Sequence, residues 1–470
     1  MSAARGNIHL DGDEVLHYPG VARTSTTARE CRDASAQAAG ALNAVVASDL
    51  ARSSPPVETF LASAGEVIRI VRRRDRGMSS RTTLAATHRK DGPLTSGEAE
   101  AAFLRRGERP NWGMGAESVR FADLFCGCGS LALGTLEAAR ALHMRGELRL
   151  AADIDLNALR VLRASLGVDA HTAARWNLTR HVKADPTALT SASEREMVAR
   201  VGSALRIAVA GPPCQGHSAL NNHSRHDDVR NHLYLRVVRF AALTEPDYVL
   251  IENVASIEND RRRSVERATE GLLALGYHVD AALVDLNLLG VPQLRRRHVL
   301  VACGPHVRTL SVKDVVAAHA VDDQRSRTLS WAIDDLESMP GKLPFDHASV
   351  SSPDNARRIA WLHEHNADDL PNPLRPPCHQ GLHTYKSMYG RLHWDRPAQT
   401  ITSGYGSMGQ GRYVHPRQRR TLTPHEAARL QMFPDFFDFS SVTSRGAWAQ
   451  MIGNAAPWKL AYAFALEMLR

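Results

Sequence analysis

From about residue 118 onward, short apolar runs alternate with stretches whose apolar residues recur at helical spacing. Val119–Phe125, Leu148–Ala152, Ile207–Ala210, Tyr248–Ile251, Val279–Val284 and His298–Cys303 read as strands, because each run is short and ends in turn-forming or polar residues. Between two of them, Asp228–Leu243 repeats Leu233, Val237, Val238 and Ala241 on one helical face and stops before Pro246. This alternation predicts an α/β fold built on a doubly wound, mostly parallel sheet covered by helices.

The flanks have a different texture. Residues 304–443 are rich in Pro, His, Arg and Gly with only short apolar patches, and they read as a second, smaller lobe after a main domain spanning 116–303. Residues 444–470 return to a clear pattern, in which Trp458–Leu469 form an apolar helical face and Asn454 is a candidate cap. Residues 1–115 are an Ala-, Ser-, Thr- and Arg-rich extension with a helical patch at Thr27–Leu50 and the basic run Arg72-Arg73-Arg74.

Composition narrows the class. With 470 residues, 43% of them apolar, the chain can bury a sizeable core. No apolar run approaches a membrane span and Met1–Glu14 lacks a signal pattern, so a cytoplasmic protein is expected. A net charge of +8 favours a polyanionic partner without requiring one. The six cysteines are scattered, as suits reduced thiols. The lone Cys126-x-Cys128 suggests packing in a tight turn more than zinc, and the histidines at 217, 223, 226 and 232 give no reason to expect a metal.

The candidate chemistry lies at the carboxyl ends of the predicted strands, where open α/β sheets bind ligands. Phe121–Ser130 runs from a strand into a glycine-bearing turn that lets a nucleotide-like cofactor approach backbone amides, and Asp153 ends the next strand, where a carboxylate can meet ribose hydroxyls. Gly211-Pro-Pro-Cys-Gln-Gly-His-Ser218 places Cys214 on a proline-stiffened loop, as a positioned thiol nucleophile would be. Glu252 ends the strand Tyr248–Ile251 on the same edge. Arg295 and Arg297, two apart in Val291–His298, would point the same way if extended and could hold a base oxygen or a phosphate. Alkylation of cytosine at C5 needs such a set, since a thiolate adding at C6 makes C5 carbanion-like and an acid at N3 eases the addition.

In this order the blocks resemble the motifs of the DNA (cytosine-5) methyltransferase family over about residues 119–470: the glycine turn, Pro213-Cys214-Gln215, Glu252-Asn253-Val254, Gln293 with Arg295 and Arg297, Arg396–Thr402 and Gly453–Pro457. The resemblance implies a Rossmann-like methyltransferase domain that takes S-adenosyl-L-methionine, a smaller DNA-recognition lobe, a C-terminal helix returning to the large lobe, and a target cytosine flipped out of double-stranded DNA. It implies Cys214, Glu252, Arg295 and Arg297 as catalytic residues. Phe125, Gly127, Gly129, Asp153, Ile154 and Asn454 would border the cofactor, and Gln215, Ser218 and Gln293 would touch DNA.

Two departures stand out: Ser130 occupies a position where the family often has glycine, and the third cofactor motif could be Asp185 or Asn177. Gly404–Gly411 followed by Arg412, Arg417, Arg419 and Arg420 suggests phosphate contacts in the small lobe, while Thr423-Pro-His-Glu426 reads as a capping box. A monomer, with a cognate restriction endonuclease as a possible partner, fits this reading. RNA cytosine methylation and a catalytically weak DNA-binding regulator are the alternatives, and the 1–115 extension is either mobile or an accessory DNA-binding unit.

Overall fold

The computed structural model describes residues 8–9, 15–16, 57–63, 66–72, 77–82, 93–94, 96–213, 233–338, 341, 343–380 and 387–470. Its centre is a seven-stranded sheet of β1 (Ser118–Leu124), β2 (Arg145–Asp153), β3 (Ala173–Arg175), β4 (Ile207–Ala210), β5 (Tyr248–Val254), β6 (His278–Asp285) and β7 (Arg296–Cys303). The spatial order is β6-β7-β5-β4-β1-β2-β3. Strands β3, β2, β1, β4 and β5 pair in parallel, whereas β7 is antiparallel to both β5 and β6. The antiparallel strand departs from an all-parallel sheet because a short non-crossover connection joins β6 to β7, and such a connection reverses the chain. The sheet includes every strand read from the sequence and adds β3, whose three residues are too few to show a period.

Alternation along the strands loads both faces. Phe121, Val209, Leu250, Val299 and Val301 join one apolar core; Ala122, Leu124, Ala208, Ala210, Ile251 and Leu300 join the other. The first core is closed by Trp458–Leu469, the helix expected from the sequence, lying against Ser130–Ala141. The second is closed by Leu233–Thr244, the described part of the helix read at Asp228–Leu243. Asn454 does not cap the last helix. It ends the preceding helix, Arg445–Asn454, and Pro457 is the N-cap after an extended linker. The capping box is present: Thr423 and Glu426 satisfy each other's backbone amides, with Pro424 at the first helical position.

The flanking segments divide between cores. Phe103, Leu104 and Trp112, from the extension, are buried in the main core, where Glu100 also pairs with Arg327 at 2.8 Å and Lys459 at 2.7 Å. Within 304–443, Val312, Val315 and Val316 join that same core, as do residues from Leu422 to Val442, while Ile359, Leu362, Leu370, Tyr389, Met408 and Val414 form a separate small core. Nearer the start, Val15–Leu16, Val57–Ser63, Glu66–Arg72 and Gly77–Thr82 form an antiparallel four-stranded sheet. Glu66-Val-Ile-Arg-Ile-Val-Arg72 carries the β-branched signal for it, which the basic, small-residue texture of the extension obscured. The helical patch at Thr27–Leu50 lies outside the described residues. No described helix is long and apolar enough to cross a membrane.

A buried polar joint holds the returning C-terminal segment. Arg295 lies between the short strand Gln293–Leu294 and β7, and its guanidinium donates to the carbonyls of Ile401 (2.8 Å), Gly453 (3.2 Å) and Ala455 (3.0 Å). Gln293 donates to Leu430 O at 2.6 Å and Gln431 Oε1 at 2.9 Å, and accepts from Ile401 N–H at 3.0 Å. Gln431 in turn donates to Ile452 O at 2.5 Å. The backbones approach so closely that a Cβ at Gly453 would stand 2.1 Å from Ser403 N, so only glycine fits there. Substituting Arg295→Met leaves buried carbonyls without their donor; it should lower the unfolding free energy by on the order of 3 kcal/mol. Exposed Arg419→Met should stay within about 0.5 kcal/mol, with both read from urea midpoints.

Two histidines are buried without charge. Desolvation lowers His298, 2% exposed beside the Tyr234 hydroxyl, to about 4, and lowers His415, 0% exposed, to about 4. Each binds its proton less tightly folded than unfolded, so stability is full above about pH 6.5 and falls as pH drops toward 4. In His298→Gln, the slope of unfolding free energy against pH in that window should be shallower than wild type by up to about 1.4 kcal/mol per pH unit. An unchanged slope would mean that His298 is not buried neutral.

Candidate active site

The parallel register brings three positions level: β1 and β4 end there, while β5 runs on to Val254. Ala210 of β4 pairs with Leu124 of β1 on one side and Ile251 of β5 on the other, so Phe125, Gly211 and Glu252 follow side by side at the carboxyl edge. A Cβ placed on Gly211 would lie 3.8 Å from the Phe125 carbonyl oxygen and 3.9 Å from Glu252 Oε2. This is also where the strand order reverses, with β2 and β3 to one side of β1 and β4 and β5 to the other, and such a switch point opens a crevice.

Asn253 donates its side-chain amide to Pro212 O at 3.1 Å, fixing the start of the proline loop against β5. Cys214, Gln215 and Ser218 lie outside the described residues. Glu252 is buried and forms an ion pair with Arg297, Oε1 to Nε 2.7 Å. Arg297 sits opposite Val254 on antiparallel β7, so its side chain returns diagonally to the acid.

Beside this pair, the turn after β1 is tightly specified. Phe125 has φ 57°, Gly127 has φ 52° and Gly129 has φ 93°. A side chain at Gly129 would meet Leu162 Cγ at 2.9 Å, so both conformation and space require glycine. Gly127 N–H donates to Asp153 Oδ2 at 2.8 Å, and Asp155 N–H donates to Asp153 Oδ1 at 2.8 Å. Burial raises the Asp153 carboxyl above its ordinary range, against the pull of these amides. Nothing lies within 4 Å of the Cβ position at Gly127, so the turn has an open side. Ile154 and Leu156, 54% and 44% exposed, present apolar surface just beyond it. The Cys126 and Cys128 thiols are buried in this turn and burial pushes both up, so they are packed and unreactive.

Ser130, the departure from the family pattern, donates its hydroxyl to Ala456 O at 2.5 Å, tying the turn to the C-terminal segment. Asn454, next to that segment, is exposed. Of the two candidates for a third cofactor motif, Asn177 follows β3 at the carboxyl edge and caps a short helix, whereas Asp185 is exposed and engaged with Thr187 in its own turn. The sequence reading missed Asp123. It is fully buried in β1, Oδ2 accepts Ala132 N–H at 3.1 Å, and Oδ1 has no hydrogen-bond partner among the described residues. Burial raises its carboxyl well above the usual range. An acid inside the apolar stretch Phe121–Phe125, two residues before the glycine turn begins, was the available signal.

Not every candidate gathers here. Arg295 does not share the direction of Arg297, because the strand breaks at Arg295 and its side chain turns inward to the polar joint. Gln293 is 0% exposed in the same joint and offers no surface to DNA as it stands. Arg412 is held by Asp369 at 2.6 Å and by the carbonyls of Asp368 and Arg391, and Arg420 forms a two-pronged pair with Glu426. Arg417 and Arg419 are the outward pair, with side chains 54% and 60% exposed and ion-paired at the surface to Glu337 and Glu364.

Comparison with known proteins agrees with this geometry. The family model for C-5 cytosine-specific DNA methylase matches residues 119–470. Type II methyltransferase M1.BsuMI of Bacillus subtilis (strain 168) is 40% identical over 423 residues, covering 90% of this chain and 97% of its own. Type II methylase M.HgiDII of Herpetosiphon aurantiacus is 32% identical over 280 residues, 56% of this chain and 76% of its own. Type II methyltransferase M1.HphI of Haemophilus parahaemolyticus is 29% identical over 366 residues, 75% of this chain and 87% of its own. Since the matched span covers the main sheet from Val119 onward and the C-terminal helix, and a relative 40% identical covers 90% of the chain, the chain belongs to the C-5 cytosine-specific DNA methylase family and is a DNA cytosine-5 methyltransferase.

Proposed function

We propose that this enzyme methylates C5 of a cytosine turned out of duplex DNA, using S-adenosyl-L-methionine, with Cys214 as nucleophile and Glu252 as acid. The carrying observation is the Glu252–Arg297 pair at the edge where the strand leading to Cys214 ends. A base inside a stacked duplex hides C6 from a thiol, so extrusion is required for the chemistry.

The residues around the glycine turn fit the cofactor. The buried Asp123 and half-buried Asp153 carboxyls suit a cationic ligand, the open side of Gly127 admits it, and Ile154 offers apolar surface to a ring. When bound, S-adenosyl-L-methionine supplies an electrophilic methyl group on a sulfonium. Phe125, Gly129 and Asn454 border the same turn in this reading.

The Cys214 thiolate adds to C6 of cytosine while Glu252 delivers a proton to N3, so the electron pair released from the ring double bond makes C5 nucleophilic. Arg297 holds the Glu252 carboxylate in place and brings a positive charge to the ring. Once C5 carries its methyl group, solvent water takes the C5 proton, the C5–H electron pair reforms the ring double bond as Cys214 leaves as thiolate, and the N3 proton returns to Glu252. Arg295 acts behind this site as a positioning residue, keeping the Arg297 strand and the Gly453–Ala455 segment together.

The Type II names of the relatives support a role as the modification partner of a restriction endonuclease. Methyl transfer from labelled cofactor should appear in duplex DNA as 5-methylcytosine and be lost in Cys214→Ala by on the order of 10⁴-fold or more. Label entering RNA alone would overturn the DNA assignment. In Glu252→Gln, turnover should fall about 10²- to 10³-fold with DNA affinity kept. A variant as fast as wild type would remove Glu252 from the mechanism.

A further inference from the structure

Outside the edge just described, the strand Gln293–Leu294 pairs in parallel with Ala398–Gln399 and bridges toward the small lobe. Gln293 and Ala398 face inward, 0% and 1% exposed, so alternation turns Leu294 and Gln399 outward, and Leu294 is 55% exposed. In front of that face lies a concavity of about 530 Å³ lined by Leu294, Leu392 and Pro397 on its apolar side and by Arg325, Arg396 and Gln399 among its polar groups. Its walls are tied together: Leu329 N–H donates to Arg396 O at 2.8 Å and Ser330 N–H to Trp394 O at 3.0 Å.

The arginines here differ in kind. Arg412 also lines the concavity, but its guanidinium is occupied by Asp369 and two carbonyls. His393 likewise faces Asp368 at 3.4 Å. Neither Arg325 nor Arg396 has a side-chain hydrogen bond or ion pair among the described residues, and the acid on the lining is Asp395. Two uncommitted guanidiniums over an apolar floor, beside an amide, match a sugar-phosphate unit: the cations take phosphate oxygens and the floor takes the sugar. Leu294 is three residues from Arg297, so this floor and the partner of Glu252 belong to one segment of chain.

We propose that this concavity seats a backbone phosphate and sugar of the substrate strand next to the target cytosine, with Arg325 and Arg396 as its phosphate ligands. This rests on the DNA reading above and adds to it a seat that orders the strand without reading sequence.

The test uses the full-length enzyme and the variants Arg325→Gln, Arg396→Gln and their double, with Arg195→Gln as a control for one lost charge far from the edge. Duplex affinity is measured from about 50 to 200 mM salt. Each lost contact should reduce the slope of log affinity against log salt by about 0.9, giving about 1.8 in the double variant, while the melting midpoint stays near wild type. A double variant with the slope of Arg195→Gln overturns the proposal.

A free nucleotide is the other source of the same chemistry. If dCMP binds wild type but not the double variant while duplex slopes agree, the concavity is a nucleotide site and the DNA assignment of it is wrong. A wild-type enzyme that binds no duplex at any salt would instead overturn the underlying DNA reading.

Discussion

Arg295 carries its charge into the junction where three distant stretches of chain meet, and it donates there to Ile401, Gly453 and Ala455 carbonyls while Gln293 and Gln431 complete the joint. A carbonyl buried without a donor is costly, so these stretches can assemble in one arrangement only. That arrangement sets the register of β7, and β7 carries Arg297 to Glu252. It also delivers Ala456 to Ser130, which links the C-terminal segment to the glycine turn. The Glu252–Arg297 pair and the glycine turn are therefore both tied to one polar joint that lies behind them.

The edge itself follows from parallel pairing. Level pairing of Leu124, Ala210 and Ile251 places Phe125, Gly211 and Glu252 abreast, so residues from three separate sequence blocks become neighbours without any long loop. The local chemistry is correspondingly mixed: Asp123 and Asp153, with raised proton affinity, flank the turn, while the acid on β5 is compensated by an arginine.

Positive charge, by contrast, is a poor guide to the outer surface of this protein. Arg295, Arg412, Arg420 and Arg429 serve the interior, tying loops through carbonyls and carboxylates. Arg325 and Arg396 carry no such ties among the described residues, although nothing in their sequence context distinguishes them from the others. A guanidinium has five donors, and whether neighbouring acceptors use them depends on the fold around it.

The sequence by itself determined the α/β alternation, the order of the catalytic blocks, the glycine turn, the returning helix and the capping box at Thr423, because each depends on local period or on spacing within a few residues. It also placed Gly211 just past a strand end, but it read β5 as stopping at Ile251, whereas that strand runs through Glu252 to Val254. What only the tertiary structure decided was direction and partnership: the reversal of β7, the inward turn of Arg295, the burial of Gln293, the true cap of the last helix and the membership of Phe103 and Trp112 in the main core. Those outcomes depend on contacts between residues up to hundreds of positions apart. Local pattern says which residues can be buried or bonded; it does not say which distant carbonyl, strand or aromatic ring will be there to meet them.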